Sequence, residues 1–395
     1  MSTSSTLPSS PSIDDVIARA RELAPAIAQR AAKAEADRRV PKESVEELVA
    51  SGLTRLYTPR RWGGYADGFM PGVQATIEIA KACTSTGWVF GFFNFHSWLV
   101  AIFDEQAQTE VWGDSPDALI ATSFAPLSKA EPVEGGYRMT GNAPWSSGID
   151  HCGWIVAGAL VPTPTGAPDY KLFLVPRSDF AIKDTWFNVG LRGSGSNTVV
   201  IDDVFVPSHR ALEFPDMVEG TGPGAAANEH PMYQTPLMAG VEGLLCVSVV
   251  GAAIGAYEEY RDWTRAKTAT FGGHQVAGSA EVQRRLSDAA ADIDASRAVL
   301  EANFARADAG GPFTLLERAR ARRDWAWIAL TAQRGVDGLM QAGGARVLFD
   351  ENPVQRVWRD VHAISTHMGL NPFTAGVNFG RVELGLGPDP ADPTF

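Results

Sequence analysis

Apolar residues recur at Val16, Ala20, Leu23, Ile27 and Ala31, the spacing of a helix with one buried face. Ser12, with Asp15 three positions on, supplies the start signal, because hydroxyl and carboxylate can each cap a free N–H of the first turn. Pro25 lies inside this run and predicts a kink or a split. A second helix is predicted from Pro41 through Val45, Leu48 and Val49 to a stop at Gly52. Two more cover residues 73–83 and 88–104. At Ala118 the period changes to short β-branched and aromatic runs bounded by Gly, Pro, Asn and Asp, at residues 119–124, 137–140, 154–160, 171–176 and 198–206. A loop rich in Gly, Pro and Ala, residues 215–231, then leads to helical segments at 237–270, 280–307 and 315–340. The order is helices, strands, helices, with no repeat and no alternation of strand and helix, which disfavours a doubly wound dinucleotide fold. The expected class is α+β: a disordered tail at 1–12, an N-terminal helical domain at 13–117, a middle β-domain at 118–214, a connecting loop at 215–235 and a C-terminal helical domain at 236–395.

Composition narrows the function. With 395 residues, 45% of them apolar and 20% charged, the chain has the make-up of a globular enzyme of two or three domains. A net charge of -12 gives no basic footprint for nucleic acid or an anionic membrane. Cys83, Cys152 and Cys246 lie far apart with no CxxC pair, which points to buried thiols in a reducing cytoplasm. The Ser/Thr/Pro-rich tail lacks the basic and apolar regions of a signal peptide. Residues 236–257 are long enough to span a membrane, but Glu242 interrupts them and Gly and Ala dilute them, so a buried helix at a helix or subunit contact is expected.

A set of ordered motifs carries a resemblance along nearly the whole chain. Pro59 with Trp62-Gly63-Gly64, the run Gly190-Leu191-Arg192-Gly193-Ser194-Gly195-Ser196-Asn197-Thr198, Asp203-Val204-Phe205-Val206-Pro207, Gln341-Ala342-Gly343-Gly344 and Arg359-Asp360 together resemble the acyl-CoA dehydrogenase superfamily. That resemblance implies an N-terminal helical domain, a middle β-domain and a C-terminal four-helix-bundle domain. Ser85-Thr86-Gly87-Trp88, Trp145-Ser146-Ser147-Gly148-Ile149-Asp150-His151 and Trp358-Arg359-Asp360-Val361-His362-Ala363 are similar to the oxygenases that hydroxylate phenols, including the seco-steroid phenol and p-hydroxyphenylacetate hydroxylases. Many dehydrogenases of the superfamily take the substrate α-proton with a Glu eight residues beyond the Asp of the Arg-Asp motif. Here Met368 stands there, and a thioether cannot remove a proton.

An oxygenase of this kind lets reduced flavin react with oxygen to a C(4a)-hydroperoxide and protects it until substrate arrives. It needs a hydrogen bond at flavin N(5), a polar group beside C(4a) and a dry pocket. The resemblance places Ser147 at N(5), although a serine before glycine ordinarily bonds its own turn. It places His367 near C(4a), where an imidazole can donate to a peroxide; the alternative is a histidine capping helix-end carbonyls. It aligns His96 with a substrate-side histidine that bonds or deprotonates a phenolic hydroxyl. Trp88 and Phe92 are further substrate-side candidates, with an ordinary aromatic core as the alternative. The resemblance places Thr122, Ser123 and Phe124 on the strand that in this family borders the flavin ring, and Thr122 also on the substrate side. The resemblance further implies that Trp145 packs near the isoalloxazine, that Arg192 offers a positive loop, and that Arg265 and Lys267 lie where the family contacts cofactor phosphates, often across a subunit boundary; a solvated helix face is the alternative for Arg265 and Lys267. Gln341-Ala342-Gly343-Gly344 resembles the segment that meets the adenosine of FAD, while FMN-using relatives share the fold. His362 and His367, five positions apart on different faces of one helix, argue against a shared metal.

The expected function is the oxygenase component of a two-component flavin monooxygenase. It takes reduced FMN or FAD from a separate NAD(P)H-dependent flavin reductase, uses O2, hydroxylates a phenolic, indolic or polycyclic aromatic substrate, and assembles as a homotetramer through apolar C-terminal helices. An acyl-CoA dehydrogenase or flavin oxidase, an N or S monooxygenase of the same fold, and a non-catalytic scaffold are the alternatives.

Overall fold

The computed structural model describes residues 10–164, 166–268, 273, 275–392 and 394–395. Among these, helices come first: α1 (Ile13–Asp37), α2 (Lys42–Ala50), α3 (Met70–Ala82), α4 (Thr84–Ala101) and α5 (Glu105–Trp112). Strands follow, β1 (Ile120–Val133), β2 (Gly136–Ser146), β3 (Trp154–Val161), β4 (Asp169–Pro176), β5 (Ala181–Lys183), β6 (Asn197–Pro207) and β7 (Ala211–Glu213). The chain closes with α6 (Phe214–Glu219), α7 (Leu244–Ala266), α8 (Ala280–Asp308), α9 (Leu315–Gly343), α10 (Pro353–Ser365) and α11 (Pro372–Glu383). The strands form one sheet in the order β5-β6-β2-β1-β3-β4-β7, antiparallel except for the β1/β3 pair.

α1 opens with the expected capping box between Ser12 and Asp15. Pro25 does not split it: α1 runs unbroken over 25 residues. The missing N–H costs one ladder bond, while Ala20, Ile27, Ala31 and Ala34 stay buried on one face and hold both halves together. α4 carries no charged residue and is buried on nearly all sides, as an all-round apolar helix must be. Gly87 permits its approach to α3, because a Cβ there would lie 2.5 Å from the Cβ of Ala80.

Two sequence expectations change in the C-terminal half. The loop expected at 215–231 contains α6 and two short 3-10 turns, since Pro215 and Asp216 in the first turn favour a helix start. The helix expected at 237–270 is regular only from Leu244 to Ala266. Before it, two 3-10 turns are separated by Gly240, whose φ of -149° and ψ of -59° no helix contains. Residues 269 and 270 of that expectation lie outside the described residues. The apolar segment Val241–Ala266 has 83% of its most apolar window buried inside the protein, so it is a core helix against α3, α9 and α10. Each fully buried Val or Leu there contributes about 1.5–3 kcal/mol relative to exposure.

Candidate active site

The two middle strands of the sheet part company. β1 pairs with β2 only where Ser128–Val133 faces Gly136–Gly141. Nearer its start it pairs with β3 alone, and the register shifts between Ser123 and Ser128. β2 continues beside β6 and shifts register between Ala143 and Ser146. An opening results, with Thr122, Ser123 and Phe124 along one strand, Trp145 and Ser146 at the end of the other, and Ser147 in the turn just beyond it. Trp145 sits in the left-handed region at φ 60°, which costs about 1–2 kcal/mol for a residue with a side chain. Its indole is nevertheless 62% exposed. Ser123 Oγ is buried without a hydrogen-bond partner among the described residues.

α4 backs this opening. Trp88, Phe92 and His96 recur every four residues on one face. Trp88 Nε1 donates to Ser147 Oγ at 3.0 Å. The Phe92 ring lies 4.6 Å from Trp88 and 5.1 Å from His96, and Trp88 lies 6.2 Å from His367, centroid to centroid. A row of rings thus joins His367 to His96.

Both nitrogens of His96 are occupied. Nδ1 lies 2.6 Å from the carbonyl oxygen of Ile120 and must donate to it, so Nε2 accepts from the Thr122 hydroxyl. Burial pushes the pKa of His96 down to about 3. The expectation that His96 deprotonates a phenol is therefore corrected. Moving a proton from a phenol, with a pKa near that of tyrosine, onto this ring is uphill by on the order of 10 kcal/mol. What remains is the acceptor lone pair of Thr122, held in place by His96.

His367 departs from expectation in its location. It follows the end of α10 and does not share a helix with His362, so the helix-face comparison between them does not apply. Nor does it cap carbonyls: its Nδ1 accepts the N–H of Gly369 at 3.1 Å. That bond leaves Nε2 as the protonated nitrogen of the neutral ring, a free donor. His367 as a residue is exposed in the single chain, while the burial of its imidazole among the neighbouring groups lowers its pKa to about 4. Met368 beside it is 79% exposed.

The Arg-Asp motif ties this turn to the glycine-serine loop. Asp360 accepts the N–H of Leu191 at 2.6 Å, and Arg359 donates to Val189 O at 2.9 Å. Arg192 is half-buried, and its guanidinium donates to Asn188 O at 2.9 Å. Arg265 and Lys267 are not brought to the Ser147 cluster within this chain. Arg265 pairs with Asp262 at 3.3 Å, whereas Lys267 donates to Gly343 O at 3.3 Å and lies 3.9 Å from the Trp263 ring. Lys267 and the Gln341–Gly344 segment therefore do meet. A separate surface depression of about 740 Å³, lined by Val40, Val45, Leu119 and His151 among others, contains none of the candidate residues.

Sequence reasoning missed the bond from Trp88 to Ser147 and the participation of Ser194 and Ser196, although both serines stand in the quoted motif. It named Glu242 only as an interruption of an apolar run, whereas this buried carboxyl, raised to about 7 by burial, lies against Gly369.

Residues 13–113 match the model of the acyl-CoA dehydrogenase N-terminal domain, and residues 244–372 match that of the acyl-CoA dehydrogenase C-terminal domain. The chain belongs to the acyl-CoA dehydrogenase superfamily. It is similar to the flavin-dependent monooxygenase oxygenase subunit HsaA of Rhodococcus jostii (strain RHA1), 39% identical over 369 residues that cover 92% of this chain and 97% of that one. It is also similar to the FADH(2)-dependent resorcinol hydroxylase oxygenase component of Rhizobium sp. (strain MTP-10005), 37% identical over 387 residues, covering 94% and 95%. The crystal structure of 3-HSA hydroxylase from Rhodococcus sp. RHA1 superposes with a TM-score of 0.88 at 38% identity, over 96% of this chain and 98% of that one. This member of the superfamily is the oxygenase component of a two-component flavin-dependent aromatic hydroxylase.

A flavin ring fits the residues at the opening. Ser123 Oγ lacks a partner among the described residues, Trp145 offers an exposed indole face at the cost of backbone strain, and His367 Nε2 is a free donor.

Proposed function

We propose that this oxygenase binds reduced FAD in the opening between β1 and β2 and holds a phenolic, indolic or polycyclic aromatic substrate along the α4 ring row. The observation that carries the reading is that row itself: it links the Thr122–His96 pair at one end with Ser147 and His367 at the other. Reduced flavin supplies the electrons with which O2 delivers one oxygen atom to the substrate. The chain's own residues do the rest. Trp145 would pack against the isoalloxazine, Ser147 would meet N(5), and the His367 Nε2–H would donate beside C(4a). Thr122 accepts the hydrogen of a substrate hydroxyl, polarising the ring without removing the proton. Buried Trp88, Phe93 and Phe95 keep water out.

FAD is favoured over FMN by the FADH(2)-dependent relative and by the meeting of Lys267 with Gly343. Arg265 and Lys267 lie apart from the Ser147 cluster of their own chain, which supports a homotetramer in which they serve a neighbouring site. Exposed Met368, Phe373, Leu384 and Leu386 offer apolar surface for such assembly. Three buried free thiols support a cytoplasmic enzyme, and an NAD(P)H-dependent reductase supplies the flavin.

Chemically reduced FAD or FMN, mixed with the protein under nitrogen and then exposed to oxygen with a panel of phenols and indoles, tests the reading. Hydroxylated product without any nicotinamide is expected, and NADH with the protein alone gives none. Hydrogen peroxide as sole product across the panel would overturn it.

A further inference from the structure

A hydroxyl has one hydrogen to donate and two lone pairs to accept with. On Ser147 one lone pair is taken, because Trp88 Nε1 can only donate and lies 3.0 Å away. Ser147 Oγ also lies 2.7 Å from Ser196 Oγ, which lies 2.7 Å from Ser194 Oγ. All three serines are buried, with exposures of 7%, 3% and 1% along the chain of hydroxyls. Three hydroxyls joined by two links leave one hydrogen outside the links. If Ser194 donates to Ser196 and Ser196 to Ser147, that hydrogen is on Ser147. If the direction reverses, it is on Ser194.

We infer that Ser196 is a positioning residue whose reversible hydrogen bond lets Ser147 present a donor to oxidised flavin and an acceptor to reduced flavin. The inference rests on the proposal that Ser147 faces flavin N(5). Oxidised flavin has a bare lone pair at N(5), so Ser147 donates to it. Reduced flavin carries a hydrogen there, so Ser147 accepts with its second lone pair and turns its own hydrogen elsewhere. Ser196 Oγ is the one further polar side-chain atom bonded to Ser147 among the described residues. Without it, a buried O–H is left without an acceptor only when the reduced flavin is bound. The dry surroundings make that loss expensive, since an unsatisfied buried donor is far costlier than an unmade bond at the surface.

Equilibrium binding of oxidised and anaerobically reduced FAD to the full-length protein separates the two states without turnover. Ser196→Ala is expected to weaken reduced FAD roughly tenfold or more while oxidised FAD changes by less than about twofold. Ser196→Thr, which keeps the hydroxyl, restores the wild-type ratio. Ser196→Cys, with a weak acceptor sulfur of similar size, shifts the ratio in the same direction as alanine and serves if the alanine variant fails to fold. Ser147→Ala weakens both states. If Ser147→Ala changes neither affinity, the placement of Ser147 at N(5) fails. If Ser147→Ala weakens both but the Ser196 variants leave the ratio of the two affinities unchanged, the role of Ser196 fails on its own.

Discussion

Replacing Thr122 with valine keeps the branched shape of a strand residue and deletes only the hydroxyl that His96 Nε2 accepts from. His96 has nowhere to turn, because Nδ1 stays tied to Ile120 O at 2.6 Å and the ring is 1% exposed. Protonation offers no relief near neutral pH, since burial holds the pKa at about 3. A buried acceptor left without a partner costs about 1–3 kcal/mol, and urea unfolding at pH 7 should show that loss. A second effect falls on substrate. A phenolic hydroxyl loses the Thr122 acceptor, a bond of about 0.5–1.5 kcal/mol, so its Kd should rise roughly twofold to tenfold. An analogue without the hydroxyl should bind unchanged, and Thr122→Ser should restore both stability and discrimination. A valine variant as stable as the parent, with the same preference for the hydroxylated ligand, would refute the pairing of Thr122 and His96 as the substrate acceptor.

Ser147→Ala and His367→Ala are expected to fail at different steps. In the first, oxygen uptake continues while hydrogen peroxide replaces product. In the second, loss of a directed donor slows oxygen uptake itself by roughly a hundredfold, about 2.7 kcal/mol; an oxygen electrode with a parallel peroxide assay distinguishes them. Asp360 is pushed up to about 7, chiefly by burial. Its neutral form contributes stability that is full below the unfolded carboxyl pKa of about 4 and is lost as pH rises towards 7. Asp360→Asn keeps the acceptor for Leu191 and lacks this loss. It should therefore gain on the parent by about 1.4 kcal/mol for each pH unit between 5 and 7, and parallel urea midpoints over that range would contradict the assignment. Light scattering at micromolar concentration is expected to give four chains per particle, and a monomer would remove the proposed subunit contribution to the site.

Local physics made much of this fold readable. The capping pair Ser12 and Asp15, the periodic faces of α1 and α8, and the β-branched and aromatic runs of β1, β3 and β4 each carry their signal within a few residues. Gly240 was not readable as a break, because a glycine inside an apolar run is compatible with a helix until neighbouring segments choose its conformation. The three-residue strands β5 and β7 owe their existence to β6 and β4, which lend them hydrogen-bond partners, and carry no period of their own. At the site, family resemblance pointed to Ser147, His367, His96 and Thr122, but the bonds that define their chemistry join residues far apart in sequence. Trp88 reaches Ser147 across 59 positions, and Thr122 reaches His96 across 26. Which nitrogen of a histidine is free follows only from those partners. So the direction of each hydrogen bond, and with it the change of His96 from base to anchor, emerged from packing.

The most direct measurement is the fate of isotopic oxygen in a single turnover. Protein, chemically reduced FAD and an accepted phenolic substrate are mixed anaerobically and exposed to ¹⁸O2, and the product is analysed by mass spectrometry with peroxide assayed in the same tube. One ¹⁸O atom per hydroxylated product, with little peroxide from the parent and much from Ser147→Ala, is the expected result. A product oxygen that comes from water, or desaturation of the substrate with no oxygen gained, would contradict hydroxylation by this site.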